Sequence, residues 1–205
     1  MTHFVFVRHA AHGLLARGII AGRQPGVHLN PLGKKQAQQI AERLSVLPID
    51  AIYCGPLERA RETAAPLAAK LGLPLQIADE FDEIDFGPWT NRSFVELQCV
   101  PEWQEWNRFR STARTPSGES MIAVKARALA KISQLRNYYE FVAIFTHGDI
   151  IRAVLAHFLG MHLDLFQRIA IEVASASVVE LHPELVRVRL VNGNAAGPEL
   201  LSAQS

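Results

Sequence analysis

The chain has 205 residues and nearly balanced charge, with 21 basic and 20 acidic side chains and a formal net charge of +1. This length is typical of one domain with its own hydrophobic core, and we expect residues 1–205 to form a single domain. The balanced charge provides no general attraction for nucleic acid or a membrane surface, so any affinity for anions must come from a few placed arginines. The two cysteines, Cys54 and Cys99, are interpreted as small buried hydrophobic residues in a reducing compartment.

The N-terminal residues lead directly into a strand-like apolar run, without a basic segment or a small-residue cleavage site, so we expect no secretory leader. No apolar segment approaches the roughly 20 residues that a membrane span requires. We therefore expect a cytoplasmic protein with neither a nucleic-acid partner nor a membrane partner. Its oligomeric state is left open.

Short apolar runs predict seven β-strands, at residues 4–7, 51–54, 75–77, 141–145, 169–173, 177–181 and 186–191. Helical patterns between them predict helices at residues 31–44, 56–71, 93–110, 119–136 and 149–159. In the first helix Asn30 is the expected N-cap and Pro31 the first helical residue. In the second, Pro66 removes a backbone donor and predicts a kink or an early break before Gly72.

Strands that alternate with helices predict an α/β fold. We expect a three-layer α/β/α sandwich with a mostly parallel sheet. The last three runs follow one another without an intervening helix, so an antiparallel edge strand is also expected.

Polar side chains follow four of the predicted strands. The first strand ends at Arg8 and His9, and Arg59, Glu83 and His147 come after later strands. The carboxyl ends of parallel strands meet at one edge of a sheet, where open α/β folds bind their ligands. These five residues are therefore expected to form one site.

Four motifs carry a resemblance to a known family. They are Arg8-His9-Ala10, the run Gly-Pro-Leu-Glu-Arg-Ala-Arg-Glu-Thr-Ala at 55–64, the loop from Glu83 to Trp89, and His147-Gly148, with a further echo at 116–120. In their order and spacing over residues 4 to about 155, they resemble the histidine phosphatase superfamily, which includes the phosphoglycerate mutase-like enzymes. The resemblance implies a phosphoglycerate mutase-like fold.

The chain departs from the family pattern in the first two motifs. Ala10 stands where the family usually has Gly, so an added methyl group is expected to narrow the pocket or tilt the loop. Ala11 and His12 replace the usual Glu followed by Thr or Ser. Gly55 replaces Ser, and either residue suits a helix N-cap before Pro56.

The resemblance also implies a role for each site residue. His9 would be the nucleophile that forms a phosphohistidine, while Arg8, Arg59 and His147 would bind the phosphoryl oxygens. Nearby cations are expected to lower the pKa of His9. Segments that border the pocket in relatives supply the candidate substrate contacts, which are His12, Arg23, Asn91 and Arg92.

Glu83 is the candidate general acid, chosen over the neighbouring Glu80 and Asp85 by motif register alone. The acidic cluster around it is expected to raise its pKa. Taken separately, Arg59 is also compatible with a surface ion pair, and Trp89, Trp103 and Trp106 are interpreted as packing residues.

The function expected is hydrolysis of a small phosphorylated metabolite, a phosphate monoester, with no metal and no cofactor. A cofactor-dependent phosphoglycerate mutase and a non-catalytic module that binds a phosphorylated ligand are the alternatives. The short segment between Trp89 and His147 favours hydrolysis, because mutases of this family carry a longer segment that shields the phosphoenzyme from water.

Overall fold

Six strands form one mixed sheet in the computed structural model, which describes residues 1–194. The strands are β1 (Thr2–Arg8), β2 (Ala51–Cys54), β3 (Leu75–Ile77), β4 (Phe141–Thr146), β5 (Ala176–Leu181) and β6 (Val186–Gly193). Their order across the sheet is β3-β2-β4-β1-β5-β6. The first four neighbours are parallel, whereas β5 runs antiparallel to β1, and β6 forms an antiparallel edge.

Seven α-helices accompany the sheet in the described residues. They are α1 (Gly13–Ala16), α2 (Pro31–Leu44), α3 (Glu58–Leu71), α4 (Phe94–Leu97), α5 (Pro101–Arg108), α6 (Met121–Leu135) and α7 (Gly148–Phe158). Short 3₁₀ turns occur at Asp79–Phe81, Gly87–Trp89 and Leu163–Arg168. None of these helices has the length and apolar character needed to cross a membrane.

Side-chain alternation along the strands builds two separate cores. In β1, Val5 and Val7 pack with residues of α2 and α3, whereas Phe4 and Phe6 pack with residues of α6 and α7 on the opposite face. A strand buried on both faces reads as a continuous apolar run, which is why residues 4–7 were recognisable in the sequence. The predicted three-layer sandwich with an antiparallel edge strand is confirmed.

The start of α2 is as the sequence predicts. Asn30 has extended backbone angles, and its side-chain Oδ1 accepts a hydrogen bond of 2.8 Å from the backbone N–H of Gly33. Pro31 occupies the first helical position, where its missing N–H is not needed.

The strand predicted at residues 169–173 is wrong. This segment follows the 3₁₀ turn at Leu163–Arg168 and joins no strand of the sheet. Its carbonyl groups accept from arginine side chains instead. Ile169 accepts from Arg152 Nε at 2.9 Å, and Ile171 accepts from Arg8 Nη1 at 2.6 Å. The apolar pattern therefore reflects burial of Ile169 and Ile171 in a loop.

Helix α3 begins later than predicted, and the early break that was one of the two outcomes expected at Pro66 is absent. It begins at Glu58, with Leu57 as an N-cap without a side-chain hydrogen bond, so Gly55 and Pro56 lie in the preceding loop. The helix also continues through Pro66 to Leu71, without the early break. Proline removes only one backbone bond, and the buried face around it holds the helix against the sheet.

The single helix predicted at residues 93–110 is two helices, α4 and α5. Pro101 is the reason, because the residue before a proline is driven towards extended angles, and Val100 has φ −94° and ψ 117°. The helices predicted at 119–136 and 149–159 are confirmed within one or two residues as α6 and α7. Cys54 is buried as expected, but Cys99 is exposed.

Candidate active site

The two site histidines follow neighbouring parallel strands. Arg8 at the end of β1 lies opposite Thr146 at the end of β4, so the next residues, His9 and His147, emerge side by side. Their ring centroids are 5.1 Å apart, and both side chains are buried. The sheet register therefore brings these two histidines next to each other.

Arg59 and Glu83 reach the same point from the other half of the sheet. Arg59 lies in the first turn of α3, is 1% exposed, and places Nη2 3.4 Å from His147 Nδ1. Glu83 follows the 3₁₀ turn after β3, and its Oε2 is 3.4 Å from the same nitrogen. A surface ion pair is thereby excluded for Arg59.

The lack of a side chain at Gly55 lets the loop that carries Glu83 pack closely against the loop before α3. A Cβ atom on Gly55 would lie 2.6 Å from the carbonyl oxygen of Phe81, a contact that side chains do not make. The substitution of Ser by Gly is therefore required by close packing of two loops, and not by capping of α3.

The loop after β1 is fixed by hydrogen bonds to two helices. The backbone N–H of Ala10 donates to Thr63 Oγ1 at 2.9 Å, and that of Ala11 donates to Gln36 Oε1 at 3.0 Å. The Ala10 methyl group packs in a small core cluster with residues such as Leu29 and Ala37. Ala10 is not among the described residues that line the pocket, so the expected narrowing does not occur.

His9 is held in the tautomer that a nucleophile needs. Its Nδ1 lies 2.9 Å from the carbonyl oxygen of Ala10, which can only accept, so Nδ1 carries the proton and Nε2 keeps its lone pair. Burial lowers the pKa of His9 well below its ordinary value, and the positive charges of Arg59 and Arg8 lower it further. The ring is therefore neutral at physiological pH.

Several buried donors around His9 have no protein partner. We call Arg8, His9, Arg59 and His147 the cationic cradle. Within it, Arg8 Nε, Arg59 Nε and Nη1, and His147 Nε2 are buried without a hydrogen bond to the described residues. Buried polar groups are normally satisfied, so this concentration of unpartnered nitrogen atoms, three of them guanidinium donors, indicates a site for an oxygen-rich anion.

Glu83 differs from an ordinary carboxylate. Burial raises its pKa to about 7; Asp149 and Asp82 also raise it, while Arg59 opposes them. The direction agrees with the sequence prediction, but the largest cause is desolvation and not the acidic cluster. A carboxyl group with this pKa holds its proton part of the time near neutral pH, as a general acid must.

The four candidate substrate contacts separate into one that lines the pocket and three that do not. His12 lines it. Arg23 instead donates from Nε to the carbonyl oxygen of Glu83 at 2.7 Å and pairs with Asp82 and Glu119. Asn91 and Arg92 bind the backbone of Ile20 through their own backbone groups. A contact with substrate by these three residues remains a prediction.

Three members of the cradle, Arg8, His9 and Arg59, line a pocket of about 280 Å³. We call its more distant lining the outer wall. It consists of Leu15, Ile19, Phe94, Trp103, Asn107, Arg110 and Gln167. The mixture of aromatic, aliphatic and polar side chains suits an organic group attached to an anion.

Sequence reasoning missed Arg110, which is 3% exposed. Its guanidinium carbon lies 4.5 Å from the Trp106 ring centroid and 5.0 Å from that of Phe166, and Nη1 donates to Asp149 at 3.3 Å. Asp149 also accepts from Arg152 at 2.8 Å. In the sequence, this cluster was indicated only by the spacing of Trp106 and Arg110 and by the position of Asp149 after the His-Gly motif.

Three groups in the site also have the composition of a metal site. His9, Glu83 and His147 each offer a ligand atom, and these atoms lie within 4.8 Å of one another. Two histidines and one carboxylate suit several transition metals. However, the guanidinium groups of Arg8 and Arg59 border the same space and would repel a cation, so the arrangement favours an anion.

The sequence of this chain is similar to a known family and to individual phosphatases. Residues 4–194 match the model of the histidine phosphatase superfamily (branch 1). The adenosylcobalamin/alpha-ribazole phosphatase of Escherichia coli (strain K12) is 25% identical over 198 residues, covering 94% of this chain and 97% of the relative. Phosphoserine phosphatase 1 of Hydrogenobacter thermophilus is 29% identical over 188 residues, covering 88% and 87%.

Solved structures show the same fold. The mycobacterial glucosyl-3-phosphoglycerate phosphatase in complex with VO3 superposes with a TM-score of 0.87 at 22% identity, covering 95% of this chain and all of that one. A putative alpha-ribazole-5'-P phosphatase from Escherichia coli superposes with a TM-score of 0.85 at 24% identity, covering 96% and 98%.

Proposed function

Because this chain belongs to the histidine phosphatase superfamily, we propose that His9 is the nucleophile of a phosphomonoester hydrolase that needs no metal ion. The observation that carries this proposal is the pairing of a neutral His9, whose Nε2 lone pair is free, with unpartnered donors on three neighbouring side chains. A phosphate dianion would satisfy those donors and bring its phosphorus atom next to Nε2.

In the first step, the Nε2 lone pair of His9 forms a bond to phosphorus, and the bond from phosphorus to the ester oxygen breaks. Arg8, Arg59 and His147 stabilise the charge on the remaining oxygens. The leaving oxygen takes the bonding electrons and receives the proton of Glu83. The products are a phosphohistidine, an alcohol and an ionised Glu83.

In the second step, a water molecule attacks the phosphorus atom. Glu83, now a carboxylate, accepts a proton from that water, and the bond from phosphorus to Nε2 breaks. The pKa of about 7 suits both roles, because neither protonation state is strongly preferred near neutral pH. Inorganic phosphate then leaves, and His9 returns to its neutral state.

The pocket supports a small substrate. A cavity of about 280 Å³ is just below the usual range for ligand pockets, roughly 300–1,000 Å³. The names of the relatives indicate phosphatases for alpha-ribazole phosphate, phosphoserine and glucosyl-3-phosphoglycerate, all phosphorylated metabolites. We therefore expect this chain to hydrolyse a small phosphorylated metabolite whose organic part contacts the outer wall.

A panel of phosphorylated metabolites, assayed by release of inorganic phosphate in the presence of EDTA, tests this function. We expect turnover to survive chelation and to be inhibited by vanadate, which adopts the trigonal bipyramidal geometry of the transferring phosphoryl group. Loss of turnover on chelation, with recovery on addition of a divalent ion, would instead assign His9, Glu83 and His147 as metal ligands.

A mutase is distinguished by the fate of the phosphoryl group. The enzyme is incubated with 3-phosphoglycerate and a trace of 2,3-bisphosphoglycerate, while phosphate and 2-phosphoglycerate are both measured. We expect phosphate release to exceed any isomerisation. Rapid isomerisation with negligible phosphate release would show that the protein is a mutase.

A further inference from the structure

His12 is a third imidazole at the cationic cradle. Its ring centroid is 5.1 Å from that of His9, the same separation as between His147 and His9, so two histidine rings neighbour His9. His12 is 3% exposed and lines the pocket with Arg8 and Arg59. Its backbone is held by an antiparallel bridge to Leu29.

The start of α1 determines which nitrogen of His12 carries the proton. His12 is the N-cap of α1, and its Nδ1 accepts a hydrogen bond of 3.3 Å from the backbone N–H of Leu15. Because Nδ1 uses its lone pair as the acceptor, the proton of the neutral ring must be on Nε2. The contacts of the described residues give Nε2 no hydrogen-bond partner.

The same surroundings keep His12 neutral. Burial lowers the pKa of His12 to about 4, and the charges of Arg59 and Arg8 contribute. Near neutral pH its Nε2–H is therefore an uncharged donor with a fixed direction. A fixed neutral donor needs no rearrangement when charge develops beside it, which is the condition for efficient stabilisation of a transition state.

We propose that His12 is a further catalytic residue, which donates a hydrogen bond from Nε2 to a non-bridging oxygen of the phosphoryl group during transfer to His9. This role rests on the proposed function. His12 keeps its proton in both steps: His9 forms and later breaks the bond to phosphorus, and Glu83 supplies and later recovers the proton. Position 12 is commonly Thr or Ser in the family pattern. In this chain it is His12, whose longer side chain also carries a hydrogen-bond donor.

Two substitutions separate this role from helix capping. His12→Asn retains a good N-cap oxygen for Leu15 but lacks a donor at the distance of Nε2. His12→Gln has a longer side chain whose amide N–H reaches further into the pocket, but it is a poorer cap. A purely structural role predicts that Asn is tolerated better than Gln. The catalytic role predicts the opposite order. His28→Asn, at an exposed histidine outside the pocket, is the control.

The test compares kcat on an alkyl phosphate, the unfolding temperature, and the affinities for vanadate and inorganic phosphate. We expect His12→Asn to lower kcat by roughly 10- to 100-fold, somewhat less than the loss of a principal oxyanion donor, with little change in unfolding temperature. Vanadate affinity should fall by a larger factor than phosphate affinity. His12→Gln should recover part of both losses.

The proposal is wrong if His12→Asn has the kcat of the parent enzyme, or if Asn exceeds Gln in activity. It is also wrong if both variants lose activity only in proportion to a lowered unfolding temperature. Absence of turnover in the unsubstituted enzyme would count against the proposed function. The vanadate and phosphate affinities would still decide whether His12 binds the phosphoryl group.

Discussion

The cationic cradle and the outer wall of the same pocket are built in different ways. The cradle comes from the ends of β1 and β4 and the first turn of α3, and its side chains are nearly all buried. The outer wall comes largely from short helices and the turn at Leu163–Arg168, with members such as Phe94 41% exposed. The rigid sheet edge suits chemistry that needs fixed distances, whereas the outer wall suits recognition that varies with substrate.

The largest effect should come from the centre of the cradle. His9→Ala removes the proposed nucleophile, and we expect kcat to fall by roughly 10⁴-fold or more, as when other covalent nucleophiles are removed. His9 lies after the strand and not within it, so the fold should persist. Phosphate release and the thermal unfolding transition are the measurements. Activity near that of the parent enzyme would place the chemistry elsewhere.

A smaller loss is expected at Glu83, also next to the cradle. Glu83→Gln removes the acidic proton, so hydrolysis of alkyl phosphates should slow by roughly 100-fold or more. p-Nitrophenyl phosphate, whose leaving group needs less protonation, should lose less. Glu80→Gln is the matched control in the same acidic segment. Equal losses on both substrates would point to Glu80 or Asp85 as the acid.

The pH profile sharpens the assignment of Glu83. Because its pKa is about 7, kcat/KM of the parent enzyme on an alkyl phosphate should decline as pH rises through 7 and the acid loses its proton. The low pKa of His9 keeps the nucleophile neutral well below pH 6.5. Glu83→Gln should abolish the decline above pH 7. A decline that persists unchanged would assign it to another group.

The carboxyl group of Glu83 should lower the stability of the fold when it is ionised. Its pKa rises from 4.5 in the unfolded chain to about 7 in the fold, so the unfolded state releases the proton first. Stability is therefore lost as pH rises from about 4.5 to 7, and stays low above that. Relative to the parent, Glu83→Gln should gain about 2 to 3 kcal/mol in unfolding free energy between pH 5 and pH 8. Urea denaturation at both pH values measures the gain, and no gain would contradict the raised pKa.

The smallest effect is expected on the outer wall. Phe94→Ala removes an exposed aromatic side chain that lines the pocket, so KM for the best substrate should rise by roughly 3- to 10-fold with kcat little changed. Val95→Ala, at the neighbouring residue outside the pocket, should have no effect. A large loss of kcat in Phe94→Ala would show that the outer wall takes part in the chemistry as the cationic cradle does, which would contradict the comparison.

The same contrast explains how much the sequence could predict. The strand that ends at Arg8 is buried on both faces, so its apolar run and the polar residues after it were recognisable. The motifs placed His147, Arg59 and Glu83 at the same sheet edge. Each of these depends on local sequence and on parallel strand order.

The outer wall depends on contacts between distant segments. Nothing near Arg110 in the sequence indicates that its guanidinium packs on Phe166 and binds Asp149. Residues 169–173 resemble a strand because they are apolar, yet side chains of Arg8 and Arg152 bind their carbonyl groups. Periodicity reports burial, and it does not distinguish a buried loop from a strand when distant side chains supply the hydrogen bonds.

Mass spectrometry of enzyme that is rapidly quenched during turnover tests the central claim most directly. We predict an acid-labile phosphoryl group on the peptide that contains His9, absent from His9→Ala, and formed with or without EDTA. The label should disappear once substrate is exhausted. Turnover with no phosphorylated His9 peptide, or with the phosphoryl group on another residue, would contradict the account.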